Sequence, residues 1–226
     1  MVTGTDTGVG KTVVTAAIAA AAAGAGLQVA VVKPAQTGTA TGEEGDARTV
    51  RRLAAPVAVQ TLAEYPDPLA PSTAARVSGR PALILSDVTE RIRAQPGDLV
   101  LIEGAGGLLV PMGHGGWTMA DLAERLHASV VVVARAGLGT LNHTALTLHA
   151  LARHHLPTVV LIGAWPAVPD LVHRTNLHDL PGTLAGAVPA GAGSWEPPAF
   201  RGHAHRWVAP VLHGSFDAAA LRGPAG

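Results

Sequence analysis

The sequence predicts an α/β fold in which a mostly parallel sheet carries helices on both faces. Short, wholly apolar runs recur through the chain, which is the pattern of strands buried on both sides rather than the alternation of a sheet with one wet face. Longer segments of helical spacing separate these runs and supply the crossovers that parallel strands require. A glycine-rich stretch, Gly4 to Thr12, stands between the first apolar residues and an alanine-rich helix.

Taken in order, Met1, Val2 and Thr3 are expected to end a first strand, shorter than the roughly five residues usual for one, so that either the strand is clipped or its true start lies upstream. Lys11 to Ala25 reads as the first helix. Its apolar core, Ala16 to Leu27, imitates the apolar stretch of a secretory signal, but it follows a glycine loop and falls short of the roughly 20 residues of a bilayer span. No membrane helix is expected. Gln28 to Lys33 reads as a strand and Asp46 to Ala54 as a helix. Pro56, Pro66, Pro68, Pro71, Pro81 and Pro96 then break the chain into loops and short helices, among them a helix over Ser86 to Ala94. Strands over Asp98 to Glu103, Ser129 to Ala134, Thr158 to Gly163 and Thr183 to Val188 alternate with helices over Thr118 to His127, Thr140 to His154 and Asp170 to His178. Beyond Gly191, Pro197, Pro198 and several glycines leave no period to read. No repeat of solenoid length appears, and one domain over residues 1–226 is expected.

Composition narrows the function. The 226 residues carry zero formal charge, 14% charged and 48% hydrophobic residues, and no cysteine. A neutral chain has no field to gather a polyanion, so a nucleic-acid partner is disfavoured. Without cysteine there is no disulfide, thiolate metal site or thiol nucleophile, which suits a cytoplasmic protein. The eleven histidines are scattered without metal spacing, and no G-x-S-x-G elbow supports serine hydrolysis.

Gly4-Thr5-Asp6-Thr7-Gly8-Val9-Gly10-Lys11-Thr12 has the chemistry of a phosphate cradle, one residue longer than the strict G-x-x-x-x-G-K-T. Glycines let backbone N–H groups converge on phosphate oxygens, and the helix beyond adds its positive end. Lys11 then reaches the β- and γ-phosphates while the Thr12 hydroxyl faces Mg²⁺. Only two of the sixteen basic residues are lysines, Lys11 and Lys33; a chain that otherwise uses arginine keeps a compact ammonium at these two places. Lys33 stands at the carboxyl end of its strand, where open α/β sheets bind ligands. Glu103 ends another apolar strand and is followed by Gly104-Ala105-Gly106-Gly107, which puts a carboxylate near Thr12 as an oxygen ligand for a hard cation. Asp46 opens a helix, where an N-cap and a metal ligand are equally consistent readings. Gly137-Leu138-Gly139-Thr140-Leu141-Asn142 starts a long helix whose free N–H groups suit a carboxylate, while simple capping by Thr140 is the plainer account.

Four of these stretches in this order, Gly4 to Thr12, Lys33-Pro34-Ala35-Gln36-Thr37, Glu103-Gly104-Ala105-Gly106-Gly107 and Gly139-Thr140-Leu141-Asn142-His143, make the chain resemble the dethiobiotin synthetases over most of residues 1–165. The resemblance implies a homodimeric P-loop NTPase fold acting on small molecules: 7,8-diaminononanoate, CO₂ and MgATP, giving dethiobiotin, ADP and phosphate. It places Asp6, Thr7, Gly8, Val9, Gly10, Lys11, Thr12 and Glu103 around the nucleotide, and Thr12, Asp46 and Glu103 on the metal. Thr7, Lys11, Lys33 and Thr37 become catalytic, with Lys33 and Thr37 on the carbamate and transferring phosphate. Lys33, Thr37, Gly106, Gly107, Gly139, Thr140, Leu141 and Asn142 become the substrate's neighbours, the last four across the dimer interface, so that a lone protomer is expected to be inactive. Phosphoryl transfer needs ammonium groups, backbone donors and Mg²⁺ rather than a covalent nucleophile, and these residues supply them.

The chain departs from the family at Gly163-Ala164-Trp165, where many members carry an adenine-recognising asparagine. The alternative reading is a P-loop ATPase switch that binds a partner protein, like the partitioning ATPases. Those carry a signature lysine five residues before the loop lysine, and here that position is Asp6. A larger amidoligase would need room for an amidotransferase domain, and a non-catalytic nucleotide scaffold is the remaining possibility.

Overall fold

The computed structural model describes residues 1–42 and 44–223. Its interior strand β5 (Val130–Ala134) explains why both faces of the sheet are covered. Side chains alternate along a strand, and here Val130, Val132 and Ala134 enter one hydrophobic core while Val131 and Val133 enter another. With every position apolar, neither face can be left to water.

Parallel pairing sets β1 (Val2–Gly4), β5, β6 (Thr158–Trp165) and β7 (Leu184–Pro189) side by side in that order. On the other side β3 (Ala58–Glu64), β2 (Val29–Gln36) and β4 (Leu99–Ile102) are also parallel neighbours. The two halves join where Val2 bridges Glu103 and the Gly104 N–H donates to the Val2 carbonyl at 2.9 Å. Among the described residues the order is therefore β3-β2-β4-β1-β5-β6-β7. The chain winds to one side of β1 first and to the other afterwards, which makes the carboxyl end of β1 the switch point where such sheets bind ligands.

One face is covered by α1 (Lys11–Gly24), α2 (Asp46–Ala54) and α8 (Pro197–Ala204). The other carries α3 (Pro71–Ser78), α4 (Leu85–Arg93), α5 (Met119–Leu126), α6 (Thr140–Ala152), α7 (Leu171–Asp179) and α9 (Ala218–Arg222). Helix α1 packs on the sheet with α2 and α8 against it, α2 resting on β2 and β3 as well, and its alanines at 16, 17 and 19–22 are buried. Alanine keeps its backbone close to all three neighbours and costs least in a helix. No helix of the described residues is long and apolar enough to cross a membrane.

The structure corrects the sequence reading in three places. The proline-rich middle holds a strand, β3, as well as short helices. It escapes pattern reading because it is an edge strand with mixed exposure, and its Val59 and Glu64 carbonyls accept from the Arg51 and Arg80 guanidinium groups at 3.0 and 2.7 Å. Strand β2 continues through Pro34 to Gln36; its pairing with β4 stops at Val32, so no β4 carbonyl waits for the N–H that Pro34 lacks. The stretch beyond Gly191 is ordered around aromatics: Trp195 and Phe200 meet Trp207 edge-to-face at 5.3 and 5.1 Å.

Thr3, fully buried in β1, has a hydroxyl without a hydrogen-bond partner among the described residues. An unsatisfied buried hydroxyl costs roughly 1–3 kcal/mol, so Thr3→Val should stabilise the fold by about 1 kcal/mol. A urea titration checks this: the midpoint should rise with the slope unchanged, and an equal or lower midpoint contradicts it.

Candidate active site

The loop from Gly4 to Lys11 leaves β1 at the switch point and turns into α1. Gly8 and Gly10 hold left-handed conformations, φ 72° and 96°, which glycine adopts at no steric cost. Gly10 also meets the end of β6 backbone to backbone. A Cβ on Gly163 would stand 1.9 Å from the Val9 carbonyl oxygen, and one on Gly10 would stand 2.7 Å from the Gly163 oxygen. The loop's curvature is therefore set by a strand two places away in the sheet.

Lys11 is buried, and its ammonium folds back to donate to the Asp6 carbonyl at 2.8 Å. Burial, and then the Lys33 charge, lower its pKa to about 8, against the opposing pull of Glu103, Asp46 and Asp6. The Asp6 carboxylate turns the other way. It accepts from its neighbour's Thr7 N–H at 2.7 Å and from Arg135 at 2.9 Å, which ties the loop to the segment after β5.

Beside Lys11 lies a cluster drawn from four elements. The Lys33 ammonium, on β2, donates to Glu103 Oε1 and to the Gly104 carbonyl, each at 2.9 Å, and pairs with the Asp46 carboxylate. Thr12 Oγ1, at the start of α1, lies 2.7 Å from Asp46 Oδ1 and 2.9 Å from Glu103 Oε1. Burial works against charge on Lys33, but Glu103 and Asp46 together outweigh it and raise its pKa. Burial likewise works against the Asp46 carboxylate, and Lys33 with Thr12 overrides it and lowers that pKa. The alternative of Asp46 as an N-cap is excluded: Gly45 occupies the cap position, and the Asp46 side chain is spent on Thr12 and Lys33. Gln36 fixes this corner by accepting the Asp46 N–H at 3.0 Å.

The donor set fits a magnesium ion. Thr12 brings one hydroxyl proton to two carboxylate oxygens, so one acceptor contact is always unserved, and all three groups are hard oxygen donors. Two carboxylates and a hydroxyl leave the remaining octahedral positions to phosphate and water, as Mg²⁺ requires.

A cavity of about 610 Å³ opens over the cluster. Thr7, Gly8, Gly10, Lys11, Thr12, Lys33, Thr37, Asp46 and Gly106 line it, and Ala35, Leu69, Ala70 and Val110 give it an apolar wall. Glu103 lies beneath, 1% exposed. Val9 is buried in the core behind the loop. Gly107 stands against the first residues of the loop, where an added Cβ would lie 3.7 Å from the Gly4 and Thr5 oxygens. Gly139, Thr140, Leu141 and Asn142 do not line this cavity. Gly139, φ 90°, is the residue before α6, so Thr140 is not its cap; Thr140 is buried with its hydroxyl 3.5 Å from that of Thr144.

Sequence reasoning missed Gln36, Arg135 and Asn176. Arg135 carried a signal, because it follows an apolar strand just as Glu103 does. Asn176 carried none. It sits mid-helix in α7, where its amide donates to the Ala136 and Gly137 carbonyls at 3.0 Å each.

With the geometry in place, the chain can be set beside known proteins. A family model described as an AAA domain matches residues 1–193. The ATP-dependent dethiobiotin synthetase BioD of Rhodococcus jostii is 56% identical over 92% of this chain and 93% of its own. Its counterpart from Streptomyces avermitilis is 53% identical over 96% and 94%. Among solved structures, the MinC:MinD cell division complex of Aquifex aeolicus matches 90% of this chain and 84% of that one, at TM-score 0.51 and 14% identity, a likeness of fold alone.

Gly163→Ala should displace the Val9 carbonyl and spoil the phosphate cradle. We expect affinity for a fluorescent nucleotide analogue to fall at least about tenfold, the equivalent of one good hydrogen bond. Unchanged affinity would show that the contact between β6 and the loop is dispensable.

Proposed function

The chain belongs to the ATP-dependent dethiobiotin synthetases, and from that premise we propose how its own residues divide the work. It is an ATP-dependent ligase that forms dethiobiotin. The observation that carries the residue assignment is the convergence of Lys11, Lys33, Thr12 and Asp46 on one cavity, with Glu103 beneath them.

In this reading one amine of 7,8-diaminononanoate captures CO₂ as a carbamate, which takes the γ-phosphoryl group as a carbamic-phosphoric anhydride. The second amine then closes the ureido ring as phosphate leaves. Thr12, Asp46 and Glu103 would hold magnesium, which when bound would supply charge neutralisation on the phosphates. Lys11 leaves the Asp6 carbonyl to hold the β- and γ-oxygens, and the N–H groups around Thr7, Gly8 and Gly10 cradle them. Lys33 neutralises the carbamate and the charge that spreads over the transferring group, and Thr37 donates beside it. Before nucleotide enters, Glu103 and Asp46 hold the Lys33 side chain as an ammonium, raising its pKa. Gly106 and Gly107 let the substrate approach the loop, and the apolar wall receives its methylene chain.

Gly139 to Asn142 belong, in this proposal, to the substrate carboxylate of a neighbouring subunit. Two observations support a homodimer: this segment does not line its own protomer's cavity, and Leu138 and Leu146 beside it are 84% and 61% exposed. Cytoplasmic placement rests on the lack of cysteine. Base choice rests on groups other than an asparagine at Gly163 to Trp165. Nothing favours the switch reading, since Asp6 stands at the signature position and is paired with Arg135.

Purified protein given diaminononanoate, bicarbonate, Mg²⁺ and ATP should release phosphate only when the diamine is present, with dethiobiotin seen by mass spectrometry. Diamine-independent phosphate release would instead support the switch. Lys33→Ala should lose nearly all turnover yet keep MgATP binding, because the metal compensates the two carboxylates; unchanged turnover would reject the role. Glu103→Gln should shift the magnesium titration of activity to higher concentration, and an unaltered titration would remove Glu103 from the metal.

A further inference from the structure

Asn176 is a buried polar side chain that the reaction, as described, does not use; it is 7% exposed. It lies on α7, and both of its amide hydrogens are committed to consecutive carbonyls, Ala136 and Gly137, at 3.0 Å each. Those carbonyls belong to the irregular stretch between β5 and α6, where the Gly137 carbonyl also accepts the Thr140 N–H at 3.3 Å and the Asn176 amide adds a second donor. Only an amide side chain presents two N–H donors from one uncharged nitrogen, so this is a site for asparagine rather than for serine, aspartate or histidine.

The anchoring of that stretch governs the start of α6. Arg135 ties its beginning to Asp6 of the phosphate loop, and Asn176 ties the next two residues to α7. Gly139 then turns at φ 90° into α6, and the Thr140 side chain is fixed in the core. The direction in which the free N–H groups at the start of α6 point is therefore set from two sides, by one exposed ion pair and one buried amide.

We infer that Asn176 is a positioning residue for recognition of the substrate's carboxylate, acting through the backbone of residues 136–142. The inference rests on the proposed assignment of Gly139 to Asn142 to that carboxylate. It is specific in a way a general stabilising role is not: losing Asn176 should weaken binding of the acid but not of the nucleotide, and only for substrates that carry the acid.

The test compares wild type with Asn176→Ala and Asn176→Gln on two substrates, 7,8-diaminononanoate and 2,3-diaminononane, in which a methyl group replaces the carboxylate. For Asn176→Ala the KM for the acid should rise about tenfold, the scale of a lost hydrogen-bond anchor, with kcat within about twofold and the nucleotide KM unchanged. With the diaminononane the variant and wild type should behave alike. Asn176→Gln, which keeps both donors on a longer stem, should fall between them on the acid. If wild type treats both substrates equally, the carboxylate assignment itself fails. If wild type discriminates but Asn176→Ala loses equally on both substrates, or on neither, the assignment stands and the role of Asn176 is overturned. Should the alanine variant fail to fold, as judged by nucleotide binding, the glutamine variant decides: an acid-specific rise in KM supports the role, and its absence overturns it.

Discussion

The carboxyl edge of this sheet is organised by a buried charge cluster, in which the Lys33 ammonium sits between Glu103 and Asp46 and the Thr12 hydroxyl joins the two carboxylates. Lys33 and Glu103 are almost wholly withdrawn from water. Removing one member of such a pair leaves an uncompensated charge and costs roughly 3–5 kcal/mol, so the cluster is stable only as a set. Its members come from β2, the end of β4, the first turn of α1 and the first turn of α2. The set therefore forms only when β2, β4, α1 and α2 are brought together, and it fixes where those four elements meet. A cluster so dependent on mutual neutralisation is also responsive: any cation or phosphate that enters must rearrange it.

The glycines serve the same end by letting backbone approach backbone. The loop after β1 rests on Gly163 of β6, and the glycine segment after β4 rests on the loop's own first residues. A single methyl group would close the first of these contacts, because a Cβ on Gly163 would overlap the Val9 carbonyl oxygen. The two contacts bring main-chain N–H groups, two lysines and two carboxylates to one cavity without a long side chain having to reach across it. Ala35, Leu69, Ala70 and Val110 add an apolar wall to the same cavity, which suits the aliphatic chain of the diamine in the function proposed above.

Much of this was legible in the sequence, for physical reasons. The valine runs at 130–133 and the apolar runs before Glu103 announce strands buried on both faces, and the rarity of lysine singled out Lys11 and Lys33. What stayed hidden depends on tertiary neighbours. β3 is an edge strand whose stability comes from β2 and from two arginines covering its carbonyls, not from its own AVQTLAE pattern. Asp46 read equally as a cap and as a ligand because both begin helices; only the positions of Lys33 and Thr12 decide where its carboxylate goes. Asn176 is polar on a polar helix, and its value lies in two carbonyls some forty residues earlier in the chain.

The central claim is that Thr12, Asp46 and Glu103 hold a divalent cation while Lys33 serves the transferring phosphoryl group. Anomalous diffraction from crystals grown with Mn²⁺ and a non-hydrolysable ATP analogue tests it most directly. The account requires a manganese peak bonded to Thr12 Oγ1 and both carboxylates, with the Lys33 ammonium moved onto the γ-phosphate. A peak elsewhere, or Lys33 still lodged between Glu103 and Asp46 beneath the bound nucleotide, would contradict it.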